Sequence, residues 1–424
     1  MLISSRFLKV WLLFSGVFLL AASPVHSDPF LGGLIEEALK NSPEIQASQA
    51  RIEAARFRIP QSGSLPDPLF MFGYQNEGFS RYTYGEMQGA QWMFSATQQF
   101  LFPGKRMLKE EMTARDVESL EAMHEVLKLK TVVRVKELYY DLFLAYKNID
   151  LLKEKGDLLT RIESLTMARY AAGKAMQQDV LMAQTEKYML LEKQEMFLQK
   201  VQSLQAILSA AVGRYKGPPL PRPSEPVYQP FPLEINAAVD MAGQHSPELK
   251  SRSKMIEAAN TRLAMAQKEY YPDFALSGIY YNRTGEFLDM WAATATINIP
   301  VYFLTKQKPA VMEARVNIHQ AGRELEATRL MIEAALRDNY SMLRLSERLM
   351  DLYQKGLLPK SRQDIEQALT GYSTGRTDAV SIISRLKILL DYETLYWGQL
   401  VEREKAIARL HAITVGQVAG GEKR

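Results

Sequence analysis

The sequence writes one stretch twice. "KNSPEIQASQARIEAA" (40–55) and "QHSPELKSRSKMIEAA" (244–259) share seven of sixteen positions. The recurrence continues through "LPDPLFMFGY" (65–74) and "YPDFALSGIY" (271–280), then through "QWMFSATQQFLF" (91–102) and "WAATATINIPVYF" (291–303). Each half then enters a long charged stretch that ends at a Tyr-x-x-Gly, in "RYAAGKAMQQDV" (169–180) and "GYSTGRTDAV" (371–380). A near-constant internal offset of about 199 to 206 residues means a duplicated supersecondary unit, and this limits the folds open to the chain.

The chain therefore divides into a first repeat at 28–216, a connector at 217–233, a second repeat at 234–415 and a tail at 416–424. Seven of the fifteen residues from 218 to 232 are Pro, so the connector is extended and cannot be helical. Each repeat reads helix, strand, strand, long helix, returning helix. Ser42 and Ser246 stand where an N-cap hydroxyl belongs, each followed by Pro at the first helical position. The long helices cover roughly 105–170 and 307–372, each about 100 Å at 1.5 Å per residue. Val135, Leu138, Leu142, Ala145, Ile149 and Leu152 step 3-4-3-4-3, as do Met342, Leu345, Leu349 and Leu352 over a shorter run, which predicts coiled-coil seams. Gly156, Gly356 and Pro359 weaken these helices, and Pro359 predicts a kink.

The strands, at about 67–102 and 272–303, alternate. Trp92, Phe94, Ala96 and Phe100 share one face; Trp291, Ala293, Ala295, Ile297 and Ile299 share another. The opposite faces are polar. Ten alternating residues suit a membrane barrel strand and equally a soluble sheet packed on a helix. Placed in lipid, four strands cannot close a barrel, and an open edge is not tolerated there. Three chains supply twelve strands, within the known range. The expected fold is mainly α with a small membrane β part. A trimeric twelve-stranded barrel would stand on an α-helical coiled-coil tunnel, and the duplication would make the tube pseudo-six-fold.

Arg6 and Lys9 precede the apolar run 10–22 and the small-residue site "SPVHS", which reads as a signal peptide over 1–27 cleaved after Ser27. Its removal leaves +2 of the chain's net charge of +4, which gives no basic patch for nucleic acid. The absence of Cys excludes disulfides, thiolate metal sites and a lipid anchor on an N-terminal Cys. The five His are scattered and form no His-Glu-x-x-His pair. "PGKR" (103–106) lacks the upstream Gly of a phosphate loop. The twenty Met read as core filler sooner than as soft-metal ligands. No catalytic residue, cofactor or metal site is expected, and the chain is not expected to be an enzyme.

These motifs resemble the TolC family of outer membrane factors, the exit ducts of tripartite efflux pumps and type I secretion systems. The carriers are both Ser-Pro-Glu helices, both Pro-Asp strand starts, "QQFLFPGKR" (98–106) and "GYSTGRTDAVSIISRLKILLDYE" (371–393), and the resemblance spans about 30–415. "LPDPLFMFGY" and "LFPGKR" look most like the heavy-metal cation branch. The resemblance implies a passive homotrimeric channel in the outer membrane that extends into the periplasm. Its partners would be a periplasmic adaptor (membrane fusion protein) and an inner-membrane resistance-nodulation-division pump. A drug or protein exit duct is the alternative; a periplasmic adaptor fits less well, because two full hairpins with two strand pairs are too many.

The resemblance also assigns site residues. The Tyr-x-x-Gly turns, with Tyr170, Gly173, Lys174, Tyr372, Gly375 and Arg376, would be the periplasmic tips that meet the adaptor. Helix termination by Gly explains the same residues structurally. Asp179 and Asp378 open the returning helices, where a carboxylate complements the helix dipole. In a trimer they would alternatively ring a cation-selective constriction. Trp92, Phe94, Trp291 and Ile297 are the candidates for lipid contact.

Overall fold

A computed structural model describes residues 28–214 and 218–414. The expected signal peptide (1–27) and tail (416–424) lie outside the described residues. Among the described residues fourteen elements follow one another in two matching sets. The first set is α1 (Pro29–Asn41), α2 (Pro43–Gly63), β1 (Leu69–Gln75), β2 (Gln91–Phe100), α3 (Lys105–Ala171) and α4 (Gln177–Ala211). The second is α5 (Ile235–His245), α6 (Pro247–Lys268), β3 (Asp273–Asn282), β4 (Met290–Asn298), α7 (Gln307–Leu352), a π-turn (Tyr353–Leu357), α8 (Leu358–Ser373) and α9 (Ala379–Thr414). Residues 218–234 between the sets carry neither helix nor strand, as their prolines require.

Two short helices, not one, precede each strand pair. The sequence reading missed α1 and α5, which stop at the Ser-Pro junctions because Pro supplies no N–H. Ser42 ends α1 by donating its backbone N–H to the Ala38 carbonyl, and its own carbonyl accepts from Gln46 to start α2 (both 3.0 Å). Neither the Ser42 nor the Ser246 hydroxyl makes the expected cap bond. Asp28 does cap α1, accepting from Phe30 N–H at 2.9 Å. Its second oxygen accepts from the hydroxyls of Tyr139 on α3 and Ser224 in the connector. The start of the first repeat, the long helix and the connector are thereby tied together.

The four strands form one antiparallel sheet in the order β1-β2-β3-β4. β2 and β3 join the two repeats, and β1 and β4 are left as open edges. The helices form a wall in which α3 packs on α4, α2, α6 and α9, and α9 packs on α7 and α8. One core lies between the hairpin ends, with Leu159, Ile162, Ala183, Ile382 and Ile383 among its members. Another binds α1, α3 and α4 through Leu34, Leu142 and Leu208. The seam predicted on α3 runs through this second core, with Val135, Leu142 and Ala145 buried and Leu138 and Ile149 packed against it, and ends in the first core at Leu152. The second predicted seam is a correction. Met342, Leu345 and Leu352 are exposed on α7, and the buried stripe is Leu336, Leu343 and Met350.

Gly156 leaves α3 unbroken over 67 residues. In the second repeat the Leu358 N–H reaches back five residues to the Tyr353 carbonyl, and Pro359 follows in the first turn of α8. The buried stripe Leu336, Leu343, Met350, Leu358, Ile365, Tyr372 steps by seven everywhere except across this turn, where it steps by eight. The π-turn absorbs one skip residue and keeps the stripe on one face.

Candidate functional site

Both long helices end in the same way. Gly173 (φ 69°) and Gly375 (φ 82°) are left-handed. The Lys174 N–H bonds the Arg169 carbonyl and the Arg376 N–H bonds the Gly371 carbonyl, both at 2.8 Å. The Gly173 and Gly375 N–H groups bond Tyr170 and Tyr372 carbonyls at 2.9 and 3.1 Å. This is the Schellman arrangement, and it turns each chain sharply into the returning helix. Lys174 and Arg376 are exposed beside their glycines, so both tips present a cation to solvent.

The two tyrosines part company. Tyr170 is 46% exposed, whereas Tyr372 is 2% exposed. Tyr372 is thus withdrawn from the tip surface: its hydroxyl pairs with Thr166 Oγ1 at 2.9 Å inside the joint between the hairpins. Arg169 lies over the Tyr372 ring, 4.5 Å from its centroid, and bonds the Tyr372 carbonyl. Arg169 and Thr166, absent from the sequence reading, lock one tip to the other. The only sequence signal for them was a cation in the last helical turn.

Asp378 is the N-cap of α9 and accepts from the Ser381 N–H at 2.8 Å. Hydrogen bonding from Ser381, through its hydroxyl first and its N–H second, holds the carboxyl below the ordinary aspartate value. Asp179 sits inside α4 and reaches back to the Met176 N–H at 3.2 Å. The two carboxylates therefore perform related capping at different helix positions, and Asp378 is exposed.

In the sheet, Phe72 faces Phe94, Phe94 faces Tyr280 and Tyr280 faces Trp291. Trp92, Phe94, Trp291 and Ile297 all lie on this face, since each strand alternates. Trp291 is 81% exposed and Ile297 60%. The other face carries Ser95, Thr97, Ser277, Thr294 and Thr296, with Thr97 and Ser277 hydroxyls 2.7 Å apart. One face is an aromatic and aliphatic slab, and the other carries hydroxyls interspersed with Met71, Met93, Ile279 and Tyr281.

"PGKR" has a structural role that its failure as a phosphate loop concealed. Lys105, buried at the start of α3, bonds Asp273 Oδ1 (3.0 Å) and the Tyr271 carbonyl (3.0 Å). The same Asp273 oxygen accepts from the Phe102 N–H at 2.7 Å. The Pro-Asp before β3 and the Gly-Lys after β2 thus form one clamp where sheet meets helices. Higher on the wall, Lys155 of α3 and Glu393 of α9 form a buried pair at 2.8 Å, with Arg362 of α8 3.1 Å from the same carboxylate.

Among the described residues no group of three or more His, Asp or Glu is placed to hold a metal ion. No described helix is long and apolar enough to cross a membrane, which says nothing of the sheet.

The sequence profile of the family described as outer membrane efflux protein matches residues 34–214. A search of the curated proteins finds no match. Among solved structures the fold is similar to CusC, at 14% identity, over 91% of this chain and 92% of that one, with a TM-score of 0.77. It is similar to VceC of Vibrio cholerae at 17% identity, over 91% and 96%, with a TM-score of 0.75. It is also similar to the Campylobacter jejuni CmeC outer membrane channel at 14% identity, over 91% and 86%, with a TM-score of 0.74.

Proposed function

We propose that three copies of the chain, whose residues 34–214 match the outer membrane efflux protein family, form a passive exit duct through the outer membrane. The observation that carries this reading is the four-stranded sheet. It has one apolar face, one hydroxyl-bearing face and two open edges. In lipid such edges must be paired, and three copies give twelve strands. Trp92, Phe94, Trp291 and Ile297 would face lipid, and the Thr-rich face would line water.

The helical wall would continue the duct into the periplasm, with the tips at its far end. Gly173, Lys174, Gly375, Arg376 and the exposed ring of Tyr170 form the surface offered to a periplasmic adaptor, below which an inner-membrane pump of the resistance-nodulation-division type delivers cargo. Asp179 and Asp378 would ring the narrow end and favour cations. The cargo class we favour is heavy-metal cations, on the resemblance of "LPDPLFMFGY" and "LFPGKR" to that branch. Drug efflux or type I secretion is the competing cargo reading. Export would follow cleavage of the signal peptide.

The test is fractionation with outer membranes and a trimer in mild detergent, followed by a resistance panel of metal salts and drugs in cells lacking the protein. A monodisperse soluble monomer would sink the duct; drug sensitivity alone would move the cargo.

A further inference from the structure

Helices α9 and α6 both pack between α3 and α7. Where the last turn of α9 gives way to the first turn of α6, the four helices enclose a cavity of about 560 Å³, within the range of small-molecule sites. Val126, Leu129, Val133, Ile332 and Ile413 make its body apolar. Its charges are few and unequal. Three cations, Lys130, Arg134 and Arg409, stand against two carboxylates, Glu137 and Glu248, which leaves one positive charge in excess. Arg409 and Glu137 satisfy each other at 2.6 Å. Glu248 lies in the first turn of α6, where a carboxylate answers the helix dipole. Among the described residues neither Lys130 nor Arg134 forms an ion pair, and both are exposed.

The start of α6 adds hydrogen-bond donors. Ser246 lines the cavity and is only 6% exposed, yet its hydroxyl makes no cap bond to α6. Its carbonyl takes up the Lys250 N–H at 3.1 Å, and the earlier amides of the helix have no acceptor in their own ladder. A buried hydroxyl and the positive end of a 22-residue helix therefore face the same space as the two free cations. The side of the wall matters as well. Lys130 and Tyr139 are nine residues apart on α3, about 180° around the helix. Tyr139 turns to Asp28 and to the connector at Ser224, so the cationic rim lies on the face away from α1 and the connector. In the first repeat the chain beyond its returning helix goes to the α1 side: Gly213 stands against Asn41, and Arg214 bonds Glu37 at 2.6 Å. That precedent gives the cavity to an outside ligand and not to the residues that follow α9.

We propose that this cavity binds an amphipathic organic monoanion. Its carboxylate or sulfonate sits on Lys130, Arg134, the Ser246 hydroxyl and the start of α6, and its apolar body covers the Val, Leu and Ile stripe. The excess charge selects the sign, because an organic cation would meet Lys130 and Arg134 without a counter-charge. A metal cation finds no ligand set, since among the described residues no group of three His, Asp or Glu is placed to hold one. An inorganic anion would reach the cations and leave the apolar wall uncovered, forfeiting the burial that most of the lining offers. Every group of the site belongs to one chain. Binding is therefore one molecule per chain, and it stands whether or not the chain assembles into a duct.

The test is calorimetric titration of full-length protein in lipid nanodiscs, with the heats of protein-free nanodiscs subtracted. The probe is naphthoate; naphthylmethylammonium, the same ring system with the opposite charge, is its control. Naphthoate should saturate at one per chain and the ammonium should show no saturable binding. Lys130→Gln combined with Arg134→Gln changes two exposed side chains and should weaken naphthoate roughly tenfold or more, the worth of a charge-assisted hydrogen bond. Lys193→Gln with Lys200→Gln, the same charge change on exposed positions of α4, should leave the affinity as it was. Ala412→Trp should fill the cavity from α9 and abolish binding. No saturable naphthoate binding, equal binding of the ammonium, or full affinity in the Lys130–Arg134 variant would each overturn the proposal. Binding seen only in a chain ended at Thr414 would overturn it too, and would hand the cavity to residues 415–424.

Discussion

At single residues, Asp378 separates two roles that one carboxylate can hold. Asn caps a helix about as well as Asp. Asp378→Asn should therefore leave trimers and their melting unchanged while lowering cation selectivity in single-channel recordings; unchanged selectivity would reduce Asp378 to a cap. The charge leaves a second signature. The folded carboxyl is held below its ordinary value by Ser381, so its contribution is complete above about pH 3.9 and is lost as the pH falls through the lowered folded value. Asp378→Asn should flatten that acid limb of the stability profile. The tip glycines answer differently. A Cβ at Gly173 meets nothing within 4 Å, and one at Gly375 meets only Arg169 Nη2 at 3.6 Å. Gly→Ala at either position should cost about 1–2 kcal/mol through the left-handed backbone alone, measured by thermal melts. Gly375→Trp should assemble normally yet lose resistance in cells; full resistance would remove the tip from the adaptor contact.

Between elements, the buried Lys155–Glu393 pair joins the first hairpin to the second. Lys155→Ala leaves Glu393 with only the exposed Arg362 and should cost about 3–5 kcal/mol. The paired change to Lys155→Met with Glu393→Leu should recover most of it, as read by denaturant midpoints. Such long-range pairs were invisible in the sequence, because no periodicity announces which distant helix supplies a counter-charge. What the sequence did carry was pattern. The duplicated offsets located both strand pairs and both tips, and alternation put Trp92, Phe94, Trp291 and Ile297 on one side. It failed where local rules compete. Ser42-Pro43 looked like a lone helix start and was a junction of two helices. The seam predicted on α7 at Met342, Leu345 and Leu352 is exposed in the chain, and the buried stripe is Leu336, Leu343 and Met350. Tyr372 shared a motif with Tyr170, and only packing against Thr166 and Arg169 distinguished them.

For the whole molecule, the two faces of the sheet should respond oppositely to charge. Trp291→Arg should weaken barrel assembly by roughly 2–4 kcal/mol per chain if it lies near mid-bilayer, seen as lost heat-resistant trimer on gels. Thr294→Arg should assemble and instead change conductance; equal tolerance would reverse the inside–outside assignment. The skip residue absorbed between Tyr353 and Leu357 has a mechanical corollary. α3 and the α7–α8 strut have the same number of residues, yet one is an uninterrupted helix and the other carries a jog in its hydrogen-bond ladder. Six posts around a trimeric duct would then alternate, three stiff and three articulated. Bending compliance would have three-fold symmetry where the sequence repeat suggests six, and tip displacement would be borne by α8–α9. Amides of 353–358 should accordingly exchange faster than those of 151–156, their counterparts on the stiff post.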